Sequence, residues 1–223
     1  MATNGLTAHG ATGARIAATL REAIIAGNYA PGERIRQDEL AGQHGASRLP
    51  VRDALRILEA EGLVTLVANA GAWVSRISLS ECQEMYWMRE RLEPLLLGLN
   101  IPLLTDEHID RLADLADAME AATDVERFLM LDREFHLGSL EAAQTAVLGD
   151  TVLGLWNRTQ HYRRAATRLF YSEGDRGVHY DHHLLVGAIR RRDTEEAERV
   201  LASHIRRSRL RLASTPEVFE DNG

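Results

Sequence analysis

The chain has 223 residues, 45 % hydrophobic and 26 % charged, with 5 prolines and a formal net charge of −7. That composition excludes a disordered or collagenous chain and leaves room for one large domain or two modest ones with buried cores. No run reaches the roughly 18 to 20 apolar residues of a membrane span, the opening MATNGLTAHGATGAR lacks the apolar stretch of a secretory signal, and the single cysteine, Cys82, can form neither an internal disulfide nor a paired-cysteine metal motif. A cytoplasmic protein is expected, with Cys82 as a small apolar residue.

Charge is unevenly spread. Residues 1–77 carry 8 Arg against 7 acidic residues, and residues 78–223 carry 18 Arg against 26. Two domains with different work are expected, at 14–76 and 78–213. No basic residue is Lys, and Arg is the better partner for phosphate and guanine.

In chain order, residues 1–13 are small and polar without periodicity and read as a frayed tail. Ile16, Leu20, Ala23 and Ile24 keep helical spacing until Gly27-Asn28 and Pro31-Gly32 turn the chain. A short helix is predicted over Gln37–His44, broken by Gly45. A third starts with Ser47 as N-cap and Pro50 in its first turn, and ends at Gly62. Two β-prone runs, Leu63–Leu66 and Ala72–Val74, flank Ala68-Asn69-Ala70-Gly71 as a hairpin. The pattern is a helix-turn-helix with a wing. Beyond it, with Ser78 or Ser80 as a cap, about six helices are predicted near 79–99, 106–121, 124–141, 146–170, 178–191 and 194–213, with breaks that include Ser172–Asp175 and an Asp193/Glu196 capping box. The fold class is mainly α: a winged helix-turn-helix with a small β-hairpin wing, then an all-α antiparallel bundle.

The third helix opens Ser47-Arg48-Leu49-Pro50-Val51-Arg52. Arg48 and Arg52 stand four apart on one face, and arginines at the start of a reading helix can fork to guanine or phosphate. Isolated, such a pair would merely solvate a surface helix; inside this pattern it predicts DNA contact. The stretch PGERIRQDELAGQHGASRLPVRDALRILEAEGLV resembles the winged-helix signature of the GntR transcription regulators, over roughly residues 14–76. The resemblance implies DNA contacts from Arg48 and Arg52, supported by Ser47, Leu49, Pro50 and the wing around Gly71. Two departures are Ala70, where the family carries a basic residue before the wing glycine, and Arg36, where it carries a small polar cap. The first weakens the wing's grip on phosphate, and Arg36 is a candidate to replace part of it.

The second constellation lies in the bundle. The stripe Val125, Phe128, Leu129, Phe135 is interrupted by Asp132 and His136, His182 shares a face with Leu185 and Ile189, and His204 follows Ala197, Val200 and Leu201. Singly, such histidines are ordinary hydrogen-bonded core residues. Four metal-ligand types turned inward from three helices would be costly to bury unpaired, and one divalent ion satisfies them all. His161 is a weaker candidate for the same cavity. Arg89, on the Met85, Met88, Leu92, Leu96 stripe, needs an anionic partner, either an effector or an internal acid such as Glu93.

This pattern resembles the FCD domain of FadR-like GntR regulators, an antiparallel bundle in which many members hold a metal with an Asp and three His. The matching residues here are Asp132, His136, His182 and His204, while Gln144 stands where an Asn is usual. Six bundle helices would suit the shorter, VanR-like subgroup. The resemblance implies a homodimeric transcription regulator, a repressor by analogy, that binds a pseudo-palindromic double-stranded operator and responds to a small carboxylate effector at or near Zn, Ni, Mn or Fe. Alternatives are a metal-dependent hydrolase or lyase with an accessory DNA-binding domain, and a purely structural metal.

Overall fold

A computed structural model describes residues 3–171 and 177–219, so the break expected at Ser172–Asp175 lies outside the described residues. The chain divides into two compact units, residues 1–77 and 78–223.

The first unit contains α1 (Thr3–Ile25), β1 (Arg34–Ile35), α2 (Gln37–Gln43), α3 (Arg48–Ala60), β2 (Val64–Val67) and β3 (Gly71–Val74). Its core joins Ile16, Leu20 and Ile24 of α1 to Val51, Leu55 and Leu58 of α3, with Val64 and Val74 of the sheet beneath. Helix α1 begins at Thr3, well before the expected start. Residues read as a tail join the helix even though Thr3–Gly13 holds three Gly and three Thr, poor helix formers, against two Ala. Gly13 sets the approach of α1 to α3: a Cβ there would lie 3.2 Å from the Pro50 carbonyl oxygen. Ser47 is the N-cap residue of α3 with extended backbone but no capping side-chain bond.

The wing has three strands, in the order β1-β3-β2 and all antiparallel, rather than a hairpin alone. A two-residue strand carries no alternation to read; Arg34–Ile35 becomes a strand only because Arg34 pairs with Trp73 and Ile35 with Ala72. At the hairpin turn Asn69 takes φ 59° and Gly71 φ 135°, positions suited to Asn and Gly.

The second unit is helical among its described residues: α4 (Leu79–Asn100), α5 (Asp106–Ala121), α6 (Val125–Gly138), α7 (Leu148–Phe170), α8 (Gly177–Arg190) and α9 (Thr194–Ala213), with short 3-10 turns at Ile101–Leu103 and Pro216–Phe219. Local chemistry starts these helices. Ser78 and Glu81 form a full capping box on α4, Thr105 and His108 do so on α5, and the Asp124 side chain caps α6. On α9 the Asp193 carboxylate accepts from the Glu196 amide at 3.0 Å, whereas the Glu196 carboxylate pairs with Arg191. The buried face of α4 runs through Cys82, Met85, Tyr86, Arg89, Glu93, Leu96, Leu97 and Asn100, so it is rotated from the expected stripe and leaves Met88 exposed. Cys82 is buried as expected, and burial pushes its thiol up to about 12. No described helix is long and apolar enough to cross a membrane.

Candidate metal centre and nucleic-acid face

Helix α6 places Asp132 and His136 one turn apart, α8 supplies His182 and α9 supplies His204, all four buried. One ligand atom from each falls within 4.8 Å of all the others. His136 Nε2 is 3.3 Å from His182 Nε2, and Asp132 Oδ1 is 3.5 Å from His182 Nε2 and 3.8 Å from His136 Nε2. Two ligands of one ion with bonds of roughly 2.1 Å stand roughly 3.0 to 3.4 Å apart, so the donors are spaced to share an ion. One carboxylate and three imidazoles suit a first-row divalent metal.

The protonation states agree with that use. Burial pushes His136 well below its ordinary value and His204 below its own, which favours the neutral, metal-binding ring. Burial alone would raise Asp132, but Arg163, His136 and His182 outweigh it and hold the carboxyl well below the usual range. Arg163 of α7 forms an ion pair with Asp132 Oδ2. Behind His204, Asp181 Oδ2 accepts from Nδ1 at 3.1 Å and also pairs with Arg207. An oriented second partner of this kind fixes the tautomer of a ligating ring.

Arg89 has internal partners: its Nε lies 2.5 Å from Glu93 Oε1, its Nη1 donates to Thr159 Oγ1 at 3.2 Å, and its guanidinium lies 4.2 Å from the Trp156 ring centroid. Beside His204 opens a pocket of about 290 Å³, lined by residues that include His204, Arg163, Phe128, Tyr171 and His179. His161 is part-buried on α7, and no described pocket includes it.

On the first unit, a hollow between α3 and the wing is lined by Arg34, Arg36, Arg48, Arg52 and Arg56, with Asp38 and Glu39 among them. Of the residues singled out in the sequence, Arg36, Arg48, Arg52 and Gly71 meet there. Ser47 and Leu49 are exposed outside this lining, and the Pro50 side chain is buried. Arg48 is held by Asp38 in a two-pronged bond of 2.8 and 3.0 Å, and Arg36 pairs with Glu39 at 3.2 Å.

Comparison with known proteins identifies the family. The FCD domain model matches residues 84–207, more than half the chain, and the model for bacterial regulatory proteins of the gntR family matches residues 12–74. The chain belongs to the GntR family, in the branch with a C-terminal FCD domain. This GntR protein is 32 % identical over 138 residues to the Nta operon transcriptional regulator of Aminobacter aminovorans, covering 61 % of this chain and 66 % of that one. It is 29 % identical to the transcriptional repressor GlaR of Escherichia coli, covering 83 % and 89 %. The match to YdhC of Bacillus subtilis, 31 % identical, spans 52 % of this chain and only 54 % of YdhC. Escherichia coli McbR/YncC shares the fold with a TM-score of 0.77 at 22 % identity, over 92 % of this chain and 98 % of that one.

Four residues of the GntR protein escaped the sequence reading. Arg56 continues the Arg48, Arg52 spacing and was legible there. Arg163 lies on a polar stripe of α7 with Trp156, Thr159 and Gln160, all buried, which also had a helical period to find it by. Asp181 and Arg34 had no such signal: one acts across to α9, the other reaches the wing tip only through strand pairing, donating to the Ala70 carbonyl at 3.2 Å.

Proposed function

We propose that the protein is a DNA-binding transcriptional repressor, cytoplasmic and homodimeric, whose FCD domain holds a divalent metal through Asp132, His136, His182 and His204 and answers to a small carboxylate effector. The observation that supports the sensing half is a pocket lined by His204 of the four-ligand cluster and by Arg163, whose Nη2 pairs with Asp132 while its Nη1 has no hydrogen-bond partner. The bound metal would supply a positive charge and open positions to a carboxylate. Arg163 would neutralise and orient that carboxylate, Asp181 would hold the His204 ring, and the burial of the cluster would exclude water, which strengthens every charge contact.

On the DNA side, Arg48 and Arg52 at the start of α3 read base edges in the major groove, with Ser47 and Leu49 beside them and Pro50 shaping the helix start. Arg34 and Arg36 bind phosphate around the wing and Gly71. Arg34 takes the place of the basic residue missing at Ala70, because its guanidinium stands at the Ala70 carbonyl. Asp38, paired with Arg48, must yield that arginine when DNA docks. A symmetric dimer calls for a pseudo-palindromic operator. An effector that favours one placement of the two reading helices shifts operator affinity by its differential binding free energy. The six described bundle helices fit the VanR-like subgroup.

The test is a fluorescence-anisotropy titration of the full chain against a duplex from its own upstream region and a scrambled duplex, at several salt concentrations and with added metal. Expected is saturable binding that prefers the native duplex by roughly 10³ or more, with log K falling as log salt rises. Equal weak binding to all duplexes, with and without metal, would overturn the reading.

A further inference from the structure

The pocket beside His204 is lined both by unpartnered donors and by a cluster of rings, and together these name the kind of acid that fits, resting on the effector reading above. Two buried donors have nothing to donate to: the Tyr86 hydroxyl and Arg163 Nη1. Both residues line the pocket together with the metal-ligand residue His204. Leaving such groups unpaired costs free energy that an incoming anion recovers. Rings form another part of the lining. Phe128 lies 5.5 Å from Tyr171 and 5.7 Å from His179, centroid to centroid, with Ala166, Val178 and Leu212 alongside. Two polar groups of the lining are engaged, the Tyr171 hydroxyl donating to the Ala122 carbonyl at 2.6 Å and Glu120 Oε2 standing 2.8 Å from His183 Nε2, while Thr167, Ser208 and Arg211 also line the pocket. An aromatic ring laid against these rings gains edge-to-face contacts that a polyhydroxylated acid cannot make. Size points the same way. An apolar cavity of roughly 150 Å³ takes a benzene ring, and about 290 Å³ takes one ring with a carboxylate arm.

We propose that the effector is a small monocyclic aromatic carboxylate, its carboxylate at Arg163, Tyr86 and the metal ligands and its ring among Phe128, Tyr171 and His179.

The experiment is isothermal titration calorimetry of benzoate, acetate and gluconate into the metal-loaded full chain, with Tyr86→Phe and Phe128→Leu as variants and circular dichroism to check that each is folded. Benzoate is expected to bind at least about tenfold tighter than acetate or gluconate. Tyr86→Phe, which keeps the ring, should weaken all acids that bind by about tenfold; Phe128→Leu should weaken benzoate alone. If acetate or gluconate binds as tightly as benzoate, or Phe128→Leu weakens them equally, the aromatic class is wrong while the carboxylate reading stands. If none of the three binds the folded, metal-loaded protein, both fail. Should Phe128→Leu not fold, the ranking of the three acids and the Tyr86→Phe result still decide the matter.

Discussion

Asp181 Oδ2 accepts a hydrogen bond from Nδ1 of His204 at 3.1 Å, which places the ring's proton on Nδ1 and leaves Nε2 as its lone pair for a metal. Burial would raise Asp181, but the hydrogen bonds from His204 and Arg207 outweigh it and keep the carboxyl ionised. Replacing it by Asn keeps the shape and removes the preference for this tautomer. Asp181→Asn is expected to weaken metal binding by about 10- to 100-fold with the fold intact, measured by competition with a chelator of known affinity. An unchanged affinity would remove Asp181 from the site's design.

Removing a ligand separates a sensing metal from a structural one. His182 is buried among Asp132, His136 and His204. For His182→Ala we expect a folded protein by circular dichroism that still binds its operator but no longer responds to metal or acid. In the wild type, metal at 100 times its Kd should add about 2.7 kcal/mol of stability by mass action, and thermal melts of the variant should show none of that gain. Loss of the fold in the variant would instead mark the metal as structural.

The five arginines that line the wing hollow are expected to divide into readers and anchors. Arg52→Ala is expected to cost about 1 to 3 kcal/mol and to relax preference at one operator position. Arg34→Ala should weaken all duplexes alike and lower the salt slope by about 1. Anisotropy across salt concentrations distinguishes them; an Arg34→Ala slope equal to wild type would take that residue off the DNA.

Asp38 pairs with Arg48 and places a negative charge in the same hollow, so it is expected to compete with DNA for that arginine. Asp38→Asn should therefore tighten DNA binding, more at low salt than at high salt. Weaker binding would mean that Asp38 helps DNA binding by positioning Arg48.

His161 offers a pH test. Burial, with Arg164 and Arg168 nearby, pushes it down to about 4, against an ordinary value of about 6.5. Between these values the unfolded chain binds a proton that the folded chain refuses, so stability is full above about 6.5 and falls as pH drops towards about 4. His161→Gln should flatten part of that fall in urea denaturation at pH 7 and pH 5. A variant as pH-sensitive as the wild type would show that His161 is not buried neutral.

Much of this architecture was legible before folding. Bundle helices such as α5 and α9 are decided by neighbours along the chain: Thr105 and Asp193 cap them, and apolar residues at helical spacing set the side they bury. The four candidate metal ligands could be read for the same reason, since each breaks an apolar stripe with a group too costly to bury alone. What sequence by itself determined is therefore the local and periodic part: the helices, the reading-helix arginines and the inward turn of Asp132, His136, His182 and His204. Only the tertiary structure decided which partners meet. Strand β1 exists because β3 pairs with it, Arg89 meets Thr159 of α7, and Asp181 finds His204 across two helices. Contacts between distant residues leave no period along the chain, because their energy is paid out only when packing closes the loop between them.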